Sequence, residues 1–363
     1  MKIIEIAKKT GSEAIHPGYG FLSENSKFVK LCEENNIKFI GPSAQSMNSM
    51  GSKIGSKVIM EKAKVPVVPG YYGDNQNRDF LIETARSIKY PILIKADLGG
   101  GGKGMRIVRN ENEFFDMLKS AQNESENSFG SAKILLEKYL ENSKHIEVQV
   151  FGDHHGNYVH LFERDCTIQR RHQKVLEEAP SYLDEKMRLS LCESGVKAAK
   201  AVDYYNAGTV EFIFDINEKK FYFMEMNTRL QVEHPISEMI TGQDFVEWQL
   251  IVASGGNLPL KQEQIKRKGH SMEVRIYSED PDNGFLPNPG KIIQLKEPNH
   301  VDSLINPDKN VRIETGVREN DEVSIYYDPM ISKLVVWAED REHCRKKLLH
   351  SLENYKVIYQ TYI

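Results

Sequence analysis

From Glu225 to Glu233, every second residue carries a charge or an amide: Glu225, Asn227, Arg229, Gln231 and Glu233. An extended chain sends alternate side chains to opposite faces. One face of this segment would therefore hold two carboxylates, two amides and a guanidinium, with Met226, Leu230 and Val232 turned away. That set of groups can bind a hard cation, orient an anion and accept a proton. A solvated surface strand also alternates, but is usually filled with Lys, Thr or Ser.

A second carboxylate stands upstream, in Thr209-Val210-Glu211-Phe212-Ile213-Phe214, joined to Phe221-Tyr222-Phe223-Met224-Glu225 by a polar turn over 215–220. Pairing Phe214 with Tyr222 in a hairpin would set Glu211 directly opposite Glu225. Like charges facing each other across a ladder destabilise a sheet. A divalent cation removes that penalty, and carboxylates beside an amide suit Mg2+ that also holds substrate phosphates. Asn227, two residues on, can join a second ion. A register shifted by one would instead leave each Glu solvated separately.

Two further stretches point to anions. Residues 90–108 read as a strand, a glycine loop at Gly99-Gly100-Gly101-Gly102-Lys103-Gly104 and a second strand. Successive glycines let backbone N–H groups approach phosphate oxygens, and Lys95 and Lys103 add charge. Gly104 follows Lys103 and a strand follows the loop, so neither a P-loop nor a dinucleotide fingerprint fits. A hairpin lid over a polyphosphate remains. The run 163–174, with Arg164, Arg170, Arg171, His172 and Lys174, follows a strand and gathers cationic and amide donors. Arg275 lies mid-strand in Glu273-Val274-Arg275-Ile276-Tyr277, either paired to a Glu or aimed into a cleft.

The elements that must position these groups are those of an α+β chain with an α/β start. Helices are expected at Lys2–Thr10, from an Asn25 cap to about Glu34, and over 44–64, 184–202, 240–254 and 341–355. Strands are expected at Ala14-Ile15-His16, 37–42, Ile92–Ala96, 105–108, 134–137, 146–151, 158–164, 209–214, 221–227, 271–277, 323–326 and 331–338. The polar segment 122–131 reads as a loop. At 363 residues, 40% apolar and 28% charged, the composition is that of an ordinary globular enzyme. A net charge of -4 leaves no footprint for nucleic acid or an anionic membrane, and no apolar run suits a transmembrane helix. Cys32, Cys166, Cys192 and Cys344 are scattered without a CxxC pair, which fits free thiols in a reducing compartment.

Together, the strings His16-Pro17-Gly18-Tyr19-Gly20-Phe21-Leu22-Ser23-Glu24-Asn25, Gly99 to Gly104, Gln169 to Lys174 and Glu225 to Pro235 resemble the biotin carboxylase component of biotin-dependent carboxylases. Residues 151–157 and 238–250 are most similar to the α subunits that serve 3-methylcrotonyl-CoA in leucine degradation. The resemblance implies an ATP-grasp fold with a partial N-terminal α/β domain at 1–52, an ATP-grasp domain at 53–255 with a mobile lid at about 67–140, and a C-terminal domain at 256–363. It implies ATP phosphates against Lys53 and Lys95, under Gly101 and Gly102. Glu137, Lys138 and Leu140 would line the adenine pocket with Tyr139 at the hinge, His145 would reach the ribose side, and Gln169 and His172 would lie near the nucleotide. Glu211, Glu225 and Asn227 would hold two Mg2+ (or Mn2+) ions. Bicarbonate would sit on Lys174, Arg229, Gln231 and the Val232 backbone, with Glu233 as the base and Arg275 stabilising a biotin enolate.

The same resemblance implies biotin on a carrier domain, since the chain has no Met-Lys-Met acceptor motif. It also implies a carboxyltransferase (β) subunit, an oligomer in the full-length form, and the mitochondrial matrix, although no transit segment is read at the start. Relatives carry more sequence at both ends, so the chain reads as N- and C-terminally incomplete. Two alternatives remain at this level: another ATP-grasp ligase joining a carboxylate to an amine, or a non-catalytic fragment that binds nucleotide or a partner subunit.

Overall fold

The computed structural model describes residues 2–98, 104–299 and 310–361. Its α+β architecture centres on an eight-stranded sheet in the order Lys220–Asn227, Asn206–Asp215, Ser143–Gly152, Tyr158–Arg170, Gln173–Ala179, His270–Tyr277, Met330–Ala338 and Val311–Thr315. All neighbours are antiparallel. Alternation within these strands gives the sheet two different faces. One carries Val148, Val210 and Phe212 into a core closed by Leu191, Cys192 and Ala198 of the helix Glu185–Lys200. That helix lies very close, because a Cβ on Gly195 would meet Val148 at 2.8 Å. The other face is part apolar, where Phe151 meets Phe245 and Trp248, and part charged.

A four-stranded sheet in the order Gly70–Tyr71, Ile134–Lys138, Ile92–Ala96 and Arg106–Val108 stands apart with its own core. The helices Arg78–Ile88 and Glu111–Phe129 supply Leu81, Ala85, Phe114 and Leu118 to it. At the start of the chain, Ala14–Ile15 pairs in parallel with Lys38–Phe39, and Asn25 caps the helix Ser26–Glu34 by accepting from Phe28 N–H at 2.9 Å. A three-stranded sheet of Glu322–Val323, Gly290–Lys296 and Lys356–Thr361 and the helix Arg341–Glu353 complete the far end. The four cysteines are free and buried, and no described helix is long and apolar enough to cross a membrane.

Several local expectations are corrected. Residues 122–131 are not a loop: the helix Glu111–Phe129 runs through them and ends at Gly130, whose φ of 72° suits a left-handed cap. Phe114, Leu118, Ala121 and Ser125 bury one face of it, and the polar content belongs to the exposed faces. The 44–64 helix is two, Ala44–Gly51 and Lys53–Lys62, because the Ser52 side chain turns back to cap the second. The 240–254 helix is likewise split into His234–Thr241 and Phe245–Ala253, with Gly242 at φ 68° and Asp244 capping the restart. The basic run 163–174 does not follow a strand; the strand continues to Arg170 and turns back at once into Gln173–Ala179. The 323–326 strand is only Glu322–Val323.

Phe212 anchors the main core. It is fully buried, with its ring edge-on to Phe221 and Phe223 at centroid distances of 5.5 and 6.4 Å. Phe212→Ala is expected to cost about 3–5 kcal/mol, read as a lower urea midpoint; an unchanged midpoint would show that this ring is not structural.

Candidate active site

Three carboxylates lie in one row across adjacent strands: Glu225 pairs with Glu211, and Glu211 with Glu147. Glu211 does face Glu225, but not through the expected register. Phe214 pairs with Phe221 and Phe212 with Phe223, and a bulge beside Glu211 then lets the extra residue Met224 slip past, restoring the Glu211–Glu225 match. Bulges of this kind re-aim side chains near active sites.

Cations at the centre of the row make it tolerable. Lys174 Nζ donates to Glu147 at 2.6 Å, to Glu211 at 2.9 Å and to Glu233 at 2.6 Å. Burial works against its charge, but the three carboxylates outweigh burial and hold the ammonium well above its ordinary pKa. Arg164, wholly buried, gives Nε to Glu147 at 2.6 Å and its other nitrogens to Gln149, Ser237, Thr209 and Gln231. His145 Nε2 lies 2.9 Å from Glu211. Against the cost of burial, Lys174 and His145 hold the Glu211 carboxyl well below the carboxylate range. Glu225 fares differently: burial first and Glu211 second push its carboxyl up.

Glu233 is the residue before the helix His234–Thr241, not part of a strand, since the strand ends at Asn227. The alternation from 225 to 233 is therefore extended only at its beginning, yet all five polar side chains reach the same cavity, of about 410 Å³. Glu233 accepts from Lys174 through one oxygen and from Arg275 at 3.0 Å through the other. Burial would raise its carboxyl, but Lys174, Arg275 and Arg164 hold it below the usual range. Arg275 settles both readings of its sequence: it pairs with Glu177 at 2.8 Å and Glu233, and it also lines the cavity.

Arg229 is aimed by a residue about two hundred positions away. Glu24 accepts Arg229 Nε at 3.1 Å and Thr228 N–H at 2.9 Å, so the 16–25 string braces the site from outside. Within that string, Gly18 N–H donates to His16 Nδ1 at 3.0 Å, leaving Nε2 to donate to Gln249 at 3.0 Å. Gln231 donates to Glu211 at 3.1 Å, and Asn227 does so at 2.8 Å.

Lys53 and Lys95 line the same cavity. Lys53 opens the helix Lys53–Lys62, and Asp97 pins that helix end by accepting from Ser52 Oγ and Ile54 N–H, each at 2.9 Å. Lys95 is held at 2.6 Å by Glu137, which also takes Lys57 at 2.7 Å and Tyr72 at 3.1 Å. Burial opposes the Glu137 charge, but the two lysines win and hold its carboxyl at about 2. Thus Glu137 sits beneath the lysines, and Lys138, Tyr139 and Leu140 follow it without lining this cavity. Gln169 and His172 do line it. His172 and Arg171 form a two-residue hairpin turn, at φ 67° and 50°, left-handed backbone for side chains that rarely take it. Gly101 and Gly102, with the rest of 99–103, lie outside the described residues.

Sequence reasoning did not single out Glu147, Lys57, Glu177, Lys333 or Glu24 as partners. Only Glu147 had a usable signal, one residue into the expected 146–151 strand; the rest are joined to the site by contacts between segments distant in the chain.

Three family models cover almost the whole chain: biotin carboxylase, N-terminal domain, over residues 1–47; carbamoyl-phosphate synthase L chain, ATP binding domain, over 52–261; and biotin carboxylase C-terminal domain, over 273–359. The chain is similar to a biotin carboxylase crystallised with β,γ-ATP from Campylobacter jejuni, with 48% identity and a TM-score of 0.93 over 99% of this chain and 78% of that one. This chain belongs to the biotin carboxylase family. The biotin carboxylase domain of Hydrogenobacter thermophilus 2-oxoglutarate carboxylase, solved as a dimer with MgADP, ADP and bicarbonate, is also similar, at 46% identity and a TM-score of 0.92 over 99% of this chain and 78% of that one. Among curated relatives, the mitochondrial methylcrotonoyl-CoA carboxylase subunit alpha of Rattus norvegicus is 56% identical over 98% of this chain and 49% of its own length. The mitochondrial propionyl-CoA carboxylase alpha chain of Mus musculus is 48% identical over 98% of this chain and 48% of its own. The chain thus spans about half the length of the curated relatives it matches. The fold is that of the ATP-grasp biotin carboxylases.

The donor set of this biotin carboxylase chain suits a hard divalent cation. Glu211 and Glu225 oppose each other and Asn227 adjoins them; Lys174 and His145 pair with Glu211, while burial and the Glu211 charge outweigh Lys53, Lys95 and His145 and raise the Glu225 pKa. A carboxyl with a raised pKa loses the fold stability as pH climbs through its folded value, because the unfolded chain ionises it freely. Glu225→Gln is therefore expected to raise the melting temperature in EDTA at pH values where Glu225 is ionised in the folded protein, and to abolish the further rise expected on adding MgATP to the unsubstituted protein. A variant that melts lower in EDTA would mean that Glu225 carries no repulsion.

Proposed function

We propose that this chain carboxylates biotin with bicarbonate at the expense of ATP, as the first half-reaction of an acyl-CoA carboxylase. The observation that carries the reading is the placement of Glu233 between Lys174 and Arg275, in one cavity with Arg229, Gln231, Lys53 and Lys95. A base, an anion pocket and a polyphosphate wall then share one chamber.

In this scheme Lys53 and Lys95 hold the ATP phosphates. Mg2+ (or Mn2+) on Glu211, Glu225 and Asn227 would supply charge neutralisation at those phosphates. Bicarbonate binds Arg229, Gln231 and the Val232 N–H, with Lys174 at its side. Glu233 starts fully ionised, but its two cations make it a weak base. An anion that draws Lys174 and Arg275 toward itself returns basicity to Glu233 when the substrate is in place. Glu233 takes the bicarbonate proton, the freed oxygen attacks the γ-phosphorus, and ADP departs. The resulting carboxyphosphate breaks to CO2 and phosphate; phosphate takes the N1 proton of biotin and the ring nitrogen captures CO2. Arg275 stabilises the negative charge on the ureido oxygen. Exclusion of water protects the short-lived intermediate.

Biotin would arrive on a carrier domain and leave for a carboxyltransferase (β) subunit, since this chain matches about half of relatives named as α subunits and chains. The names of the more identical relatives favour 3-methylcrotonyl-CoA as the downstream acceptor and the mitochondrial matrix as the location.

The test is ADP release that requires both bicarbonate and free biotin. Glu233→Gln and Lys174→Ala are each expected to reduce it by about 10²–10⁴-fold while ATP still binds. Tight ATP binding with no ADP release in the unsubstituted chain would favour a nucleotide-binding fragment. Stimulation by an amine in place of biotin would favour a carboxylate–amine ligase.

A further inference from the structure

Behind Arg275, the same face of the large sheet holds two carboxylates for which the reaction scheme has no use. Glu177 and Glu273 stand directly opposite each other across the antiparallel pair Gln173–Ala179 and His270–Tyr277, and neither is exposed to solvent. Arg275 Nε donates to one Glu177 oxygen. The other Glu177 oxygen and both Glu273 oxygens are buried with no hydrogen-bond partner among the described residues. A buried ionised carboxylate left that bare is costly, and two facing each other cost more. The nearby cations are committed elsewhere. Lys333 gives its ammonium to the Val232 carbonyl and to Glu314, each at 2.6 Å, and Lys174 is shared among Glu147, Glu211 and Glu233.

We propose that Glu177 and Glu273 form a proton-storing pair whose protonation decides how Arg275 divides its charge between Glu177 and Glu233. Both are positioning residues, acting through Arg275. The inference rests on the biotin carboxylase reading, because Glu233 and Arg275 matter only if they meet reactants.

The groups facing the pair set the direction. Glu273 sees Lys333, Arg275, Glu177 and Glu314; burial outweighs the two cations and keeps it protonated well above the ordinary carboxyl range. Glu177 sees Arg275, Glu233 and Lys174, with Tyr277 and Cys166 nearby; burial, helped by Glu233, lifts it to about 7. Below neutrality Glu177 is therefore neutral, Arg275 spends its charge on Glu233, and Glu233 is a poorer base. Above it, Glu177 gives its proton to solvent and claims a share of Arg275, and Glu233 recovers proton affinity. The pair makes carboxylation favour the alkaline side of neutral without exposing Glu233 to water.

The test follows kcat and kcat/KM for free biotin across pH in the unsubstituted protein, Glu177→Gln, Glu177→Asp and Glu273→Gln, with infrared titration of the carboxyl C=O band on the same samples. The unsubstituted protein should lose about tenfold in kcat per pH unit on the acid side of a midpoint near neutrality. Glu177→Gln should lose that limb and Glu177→Asp should restore it. Glu273→Gln, which mimics the protonated acid, should keep the limb while removing a C=O band that does not titrate near neutrality; Glu177→Gln should remove the one that does. A limb unchanged in Glu177→Gln, or the absence of both bands from the unsubstituted protein, overturns the proposal. The infrared signal needs no turnover, so a chain that fails to carboxylate biotin still reports on the pair.

Discussion

One ammonium group gathers the site. Lys174 reaches the tip end of the hairpin formed by Tyr158–Arg170 and Gln173–Ala179 and touches carboxylates from three other places: Glu147 and Glu211 on neighbouring strands, and Glu233 at the head of a helix. Without it, a buried row of acids would repel itself apart. With it, the acids hold the lysine as firmly as it holds them, and the large sheet and the helix that starts at His234 share one fixed point. Burial makes this strong in both directions: the pairing is barely screened, and removing one member would leave the others uncompensated.

The same logic repeats outward from that point. Arg164 ties Glu147 to Ser237 on the helix, Arg275 ties Glu233 to Glu177, Lys333 holds the Val232 carbonyl, and Arg312 reaches Glu238 one turn along at 2.7 Å. The helix His234–Thr241 and the residues leading into it are thus moored to the sheet by four cations, three buried and Arg275 partly so, rather than by apolar contact alone. On the other wall, Glu137 gathers Lys57 and Lys95 so that two like charges can sit close together beneath the place where phosphates would lie. The two walls differ. The acid wall belongs to the large sheet, whereas the lysine wall is shared: Lys95 and Glu137 stand on the small sheet with its separate core, and Lys57, on the helix Lys53–Lys62, joins the two by donating to the Phe223 carbonyl at 3.0 Å as well as to Glu137.

Sequence reading succeeded where chemistry and periodicity agreed and failed where one disguised the other. The spacing of Glu225, Asn227, Arg229, Gln231 and Glu233 identified a functional face, although only the first two are on the strand; the chain then turns, and convergence on the cavity replaces alternation. The Glu211–Glu225 match was legible, but a continuous ladder would have required a different phenylalanine pairing, because nothing in the letters marks Met224 as the bulged residue. In the helix Glu111–Phe129, the polar residues of its exposed faces hid the buried stripe of Phe114, Leu118 and Ala121. Helix breaks at Ser52 and Gly242 were missed because apolar periodicity continues across them.

By itself the sequence determined the chemistry: which residue types are available, the α+β class, the family, and which short strings carry the reactive groups. Those are properties of residue type and near spacing, and they are written locally. Tertiary structure decided which charges are partners. Glu24 aiming Arg229, Glu177 opposing Glu273, and Lys333 under the Val232 carbonyl all join positions between roughly 96 and 205 residues apart. Whether a buried carboxyl is a base, a counter-ion or a stored acid depends on those neighbours and on how little water reaches it, and neither is a property of the residue itself.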